Sequence, residues 1–102
     1  MYSPLDGPST QTTISVTNAT VQEIKVGGSA LSERSVITVQ PTDGNVYIYF
    51  GDGTGAPSAA TVIADGFIQY KRAKDTYEAA STQAVYILST TGTVVVKIAE
   101  RA

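Results

Sequence analysis

The chain has 102 residues, a formal net charge of −2 and only 16% charged side chains, which suits one hydrophobic core and is too short for two. That charge gives no basic field to steer it to nucleic acid or anionic lipid, so neither nucleic acid nor membrane is expected as a partner. Having no Cys and no His, it has no disulfides, thiolate nucleophiles or Cys-based zinc sites, and lacks the usual general base and transition-metal ligand; the expectation is a protein without cofactor that is not an enzyme.

Eleven Val and eight Ile stand against three Leu, a β-branched bias that fits a pleated, half-buried surface better than a helix. Residues 1–11 hold Pro4 and Pro8, Gly7 and several Ser and Thr without apolar periodicity. They read as an extended N-terminal arm, with residues 12–102 as the folded domain. Ordering such an arm costs roughly 1–2 kcal/mol per residue, which Tyr2 and Leu5 offset only by packing on a surface. With no basic start and no apolar run, this stretch is read as neither signal peptide nor membrane span, so a protein made and kept in a cytosol is expected.

From Thr12 short alternating runs are separated by turn residues about every ten positions, the rhythm of a sandwich or barrel with seven or eight strands. The first spans Thr12 to Thr17, with Ile14 and Val16 on one face; Asn18-Ala19 turns into Thr20 to Val26, which points Ile24 and Val26 one way and ends at Gly27-Gly28. Ser35 to Gln40 follows with Ile37 and Val39 inward, and Pro41-Thr42-Asp43-Gly44 makes a tight turn. Asn45 to Phe50 then sets Val46, Ile48 and Phe50 against Tyr47 and Tyr49. After a loop from Gly51 to Ala60, extended structure is expected at Thr61 to Ile63, with a turn of helix over Pro57 to Ala64 as the other reading. Asp65-Gly66 turns into Phe67 to Lys71, followed by Thr76 to Ala79. Ala84 to Ser89 and Thr93 to Ala99 are read as a hairpin joined by Thr90-Thr91-Gly92, with Gly92 suited to a positive φ. Large apolar side chains on both faces of Ala84 to Ser89 make it a central strand, buried on both sides.

No constellation reads as catalytic. The loop Gly51-Asp52-Gly53-Thr54-Gly55 lacks the Lys-Ser/Thr ending and following helix of a phosphate cradle, and its one carboxylate is thin for calcium, so it is read as a flexible connection. The Asp-Gly pairs at Asp6, Asp43, Asp52 and Asp65 have turn-forming reasons to exist. Lys71, Arg72 and Lys74 are followed by Asp75 and Glu78, which reads as a solvated strand edge. Six Tyr are present. Tyr47 and Tyr49 on one strand face are equally a sugar-stacking or protein-binding platform and ordinary strand aromatics; Tyr70, Tyr77 and Tyr86 are read as ordinary strand aromatics.

The runs Leu31-Ser32-Glu33-Arg34-Ser35-Val36-Ile37-Thr38-Val39-Gln40, Val46-Tyr47-Ile48-Tyr49-Phe50-Gly51, Asp65-Gly66-Phe67-Ile68, and Gln83 to Ser89 with Gly92 to Glu100 resemble a pattern of strands and turns common in small tailed-bacteriophage virion proteins. The resemblance covers about residues 30–100 and implies an all-β fold, a single β-sandwich of jelly-roll or immunoglobulin-like type with antiparallel strands. It implies a virion structural protein, first a capsid decoration (cement) protein bridging capsid subunits, made in the host bacterial cytoplasm. The alternatives are a head-tail or tail component, or a carbohydrate-binding host-attachment module. Its implied partners are the major capsid protein or another virion protein and further copies of itself, with a trimer favoured. Tyr2, Pro4 and Leu5 of the arm, with Tyr47 and Tyr49, are the candidate partner-binding residues.

Overall fold

The computed structural model describes residues 9–102, and Tyr2, Pro4 and Leu5 lie outside the described residues. In chain order the elements are β1 (Ser9–Val16), β2 (Gln22–Glu23), β3 (Val36–Pro41), β4 (Val46–Phe50), α1 (Ala59–Asp65), β5 (Phe67–Gln69), β6 (Asp75–Glu78), β7 (Val85–Leu88) and β8 (Val94–Arg101). The strands form two antiparallel four-stranded sheets, ordered β1-β8-β3-β6 and β2-β7-β4-β5. The expectation of an all-β fold with seven or eight antiparallel strands is met with eight strands and one short helix, and the arrangement is compatible with a sandwich.

Alternation of side chains produces the core. Along β8, Val94, Val96, Ile98 and Glu100 are buried while Lys97 and Arg101 are exposed, and on β3 Ile37 and Val39 turn inward. From the second sheet Val46, Ile48, Val85 and Ile87 meet them, and with Val16 and Ile24 they make one cluster between the sheets. Each such side chain stabilises the fold by about 1.5–3 kcal/mol on full burial. β7 is buried at all four positions, as expected of a central strand: β2 and β4 flank it, the core covers Val85 and Ile87, and α1 packs on its other face.

Four local readings need correction. Val85–Leu88 and Val94–Arg101 are not a hairpin, because β7 and β8 belong to different sheets; both strands are apolar on the inward face, and alternation along a strand does not say which strand lies beside it. The connection through Gly92, whose φ is 100°, therefore crosses between sheets. Thr61 to Ile63 is helical rather than extended: Ser58 Oγ accepts from the Thr61 N–H at 3.2 Å and caps α1, which agrees with the helical alternative. Ser9–Gln11, assigned to the arm, are strand, paired with Ala99–Arg101 of β8; polar side chains on an edge strand leave no apolar alternation to mark them. The second strand is Gln22–Glu23 rather than Thr20 to Val26, though the Ile24 N–H still donates to Val85 O at 2.7 Å.

The outer face of the second sheet is covered by α1, which packs on β4 and β7. Val62, Tyr86 and Leu88 are buried yet stand apart from the inter-sheet cluster, so they form a separate apolar layer on that outer face. Gly66 closes α1, its N–H donating to Val62 O at 2.9 Å. A methyl group there would press on the carbonyl oxygens of Val62 and, at 2.9 Å, of Ile48. Both obstacles are backbone and cannot swing aside.

A buried ion pair locks one end of the molecule. Glu100 lies at an inward position of β8, and Arg34 Nη1 donates to its Oε2 at 2.8 Å, both side chains being fully buried. Glu100 also accepts from the N–H groups of Val26 (2.9 Å) and Leu31 (3.3 Å). Arg34 Nε donates to Ala79 O at 2.9 Å, and its Nη2 donates to Ala80 O at 2.9 Å and to Gln83 O. The pair thus fastens the β2–β3 and β6–β7 connections to the last strand.

Two outcomes follow. Glu100→Gln leaves the Arg34 charge buried without a counter-charge, so urea unfolding should show a loss of about 3–5 kcal/mol, a large part of the roughly 5–15 kcal/mol that holds a domain folded. Gly66→Ala should lower stability by about 1–3 kcal/mol through overpacking against the two carbonyls, read as a fall in the urea midpoint with an unchanged slope.

Candidate interaction surface

Exposed large apolar side chains gather at one edge of the second sheet, where Phe67 is 64% exposed, Tyr70 61% and Ile68 45%; Ile63 on α1 is 41% exposed. Among the described residues β5 pairs only with β4, setting Ile68 opposite Tyr47 and Phe67 opposite Ile48. Ile68 therefore lies on the outer face beside Tyr47, while Phe67 leans over the rim of the core. Its ring sits 6.5 Å from that of Phe50, tilted by 58°, and Phe50 meets Tyr77 edge-on at 5.5 Å. These separations suit the aromatic quadrupole.

Beneath this rim a buried amide is fully used. Gln69 is 1% exposed; its Nε2 donates to Ala73 O at 2.8 Å, and its Oε1 accepts from the Tyr77 hydroxyl. Burial raises the Tyr77 pKa above its ordinary value of 10.0, and the neighbouring Asp75 carboxylate adds to the rise, since both oppose a phenolate.

Tyr47 and Tyr49 both lie half-buried on β4. On the β7 side Tyr47 faces Leu88 and Tyr49 faces Tyr86, so part of each ring is covered within the chain. Tyr47 continues the apolar edge through Ile68; Tyr49 has no β5 partner. Sequence reasoning missed Phe67, Ile68 and Ile63 and passed over Tyr70, because alternation marks a strand without saying that it lies at an edge. A signal was present in Phe67-Ile68-Gln69-Tyr70, an uncharged run flanked by Asp65 and by Lys71-Arg72. Tyr86, at 8% exposure, is buried on β7 with its ring beside Gly51.

Two shallow clefts are lined mainly by polar residues. One, of about 390 Å³, lies on the outer face of the first sheet, with Gln11, Thr13, Thr38, Gln40, Lys74 and Lys97 around it. The other, of about 480 Å³, lies between the Gly51–Gly55 loop and the Thr82–Ala84 turn. In that loop Asp52 Oδ1 accepts from the Thr54 hydroxyl and from its N–H at 3.0 Å, and these two bonds, the hydroxyl first, hold the Asp52 carboxyl below the ordinary range. The carboxylate closes its own turn. Among the described residues no three His, Cys, Asp or Glu side chains are grouped to hold a metal, and no helix is long and apolar enough to cross a membrane.

The raised Tyr77 pKa has a definite sign. The unfolded chain gives up this proton first as pH climbs past 10.0, so the contribution present below that pH is lost above it. Tyr77→Phe should flatten the alkaline fall in urea-measured stability, while costing about 1–3 kcal/mol at neutral pH because Gln69 Oε1 loses its donor.

No protein-family model, no curated protein and no solved structure matches the chain.

Proposed function

We propose that this chain is a jelly-roll binding module of a bacteriophage virion, a capsid decoration protein that strengthens the head by bridging capsid subunits. The observation that carries this reading is the strand order. The sheets β1-β8-β3-β6 and β2-β7-β4-β5 are filled by a chain that changes sheet at every connection except the one through α1, as two interlocked Greek keys require. That pattern favours a jelly roll over an immunoglobulin-like sandwich, and jelly rolls recur in viral capsid and lectin domains. The resemblance in residues 30–100 supports the virion side, and the apolar edge at β5 supports work by surface contact. A rigid sandwich gives fixed shape, and repetition over a capsid lattice multiplies modest contacts through effective concentration. A head-tail component would use the same physics.

A second reading, a carbohydrate-binding attachment module, draws on the cleft of the first sheet, whose Gln11, Gln40, Thr13 and Thr38 offer hydroxyl and amide groups to a sugar. Among the described residues that line it there is no aromatic ring for stacking.

The two readings separate in one experiment. Purified chain, mixed with heads of the phage that carries its gene, should co-sediment to a saturable ratio. Deletion of residues 1–8, which spares β1, should leave the circular dichroism unchanged and reduce that binding at least about tenfold. A chain that stays in the supernatant while binding host polysaccharide through Gln40 and Lys97 would overturn the capsid reading.

A further inference from the structure

Four strands end the two sheets: β1 and β6 on one, β2 and β5 on the other. Every sheet edge offers unpaired N–H and C=O groups, yet backbone bonds to a new strand mostly replace bonds to water, so apolar area must drive the addition. The exposed side chains of β1 are Ser, Thr and Gln. β2 is two residues long and carries Glu23, which meets Lys25 at 3.7 Å. β6 presents Asp75 and Glu78, charges that deter pairing. β5 differs from all three, being Phe67-Ile68-Gln69 without a charge. Its ladder runs to β4, and no backbone bond outside that ladder reaches its three residues among those described.

The charges at the two ends of β5 identify what pairs with it. Asp65 precedes the strand and Lys71 and Arg72 follow it, all three exposed. We infer that a second copy of this chain adds to the edge, β5 against β5, antiparallel about a two-fold axis at Ile68. In this register Ile68 faces Ile68, Phe67 faces Gln69, and the Asp65 end of each copy meets the Lys71–Arg72 end of the other. Both ends then join opposite charges. Parallel pairing would set like charges together, and a partner strand of uniform charge would suit only one end. A two-fold contact uses one patch twice, and four strands from each copy become one continuous sheet. Tyr70, two residues from the axis and 61% exposed, loses apolar area with Ile68 and Phe67. The contact is independent of the virion reading, and it differs from the trimer that the resemblance implies.

Sedimentation equilibrium and native mass spectrometry of the full chain over a wide concentration range test this directly. The expected result is a reversible monomer–dimer equilibrium. Ile68→Lys sets two ammonium groups side by side on the axis and should weaken the dimer at least about tenfold; Thr13→Lys on the β1 edge should leave it unchanged. Asp65→Lys should also weaken it, and adding Lys71→Asp in the same chain should restore it, a rescue that a merely misfolded variant would not show. A trimer, a monomer at every concentration, or a dimer broken by Thr13→Lys and untouched by Ile68→Lys overturns the inference.

Discussion

The buried pair of Glu100 and Arg34 is the constraint around which the rest of this fold closes. Parity along β8 forces Glu100 inward, where an isolated carboxylate would be strongly disfavoured. The chain answers with a guanidinium and with the N–H groups of Val26 and Leu31, while the guanidinium satisfies the carbonyls of Ala79, Ala80 and Gln83. Those five backbone groups lie beyond the regular ladders. Replacing both charges by hydrocarbon would leave them without partners, so the usual argument that a buried ion pair is dispensable does not carry over to this site.

The need for such a device follows from the topology. A chain that changes sheet at almost every connection produces crossings whose backbone groups cannot be paired by either sheet. The opposite end meets the same demand with short polar groups near solvent. Asp43 Oδ1 accepts from the Val95 N–H at 2.9 Å and Asn45 Oδ1 accepts from the Lys71 N–H at 2.7 Å. One end is thus fastened by charge removed from water and the other by exposed caps, where water competes for each bond and the loss of any one matters less.

How much of this could be read from residues alone depended on distance along the chain. Period-two patterns located β3, β4, β7 and β8 and named their inward side chains, because alternation is a local property. The same patterns could not say that β7 and β8 lie in different sheets, since pairing is a property of space. Ser9–Gln11 escaped notice for want of apolar content, and the seven residues of α1 were too few to show a helical period. Arg34 stood in the quoted Leu31-Ser32-Glu33-Arg34 run, but nothing in its neighbours connects it with Glu100, 66 positions away. For the interaction surface, Tyr47 was singled out for its aromatic character and does border the exposed edge. Phe67 and Ile68 were not, because an apolar residue in a strand looks the same whether the strand is central or terminal.

β5 departs from the rule that builds the other strands. On β3, β4, β7 and β8 the buried inward positions are mostly Val and Ile; on β5 the fully buried position belongs to Gln69, while Phe67 and Ile68 stay largely exposed. The amide is tolerated because Tyr77 and Ala73 satisfy it, so the inversion leaves no unpaired polar atom. It does leave the rings of Phe67 and Tyr70 adding little to the stability of the monomer, since most of their area stays wet. A core requirement would have put these side chains inside. Their position outside, on an uncharged edge strand, is explained by a surface that becomes buried only when another strand lies beside it.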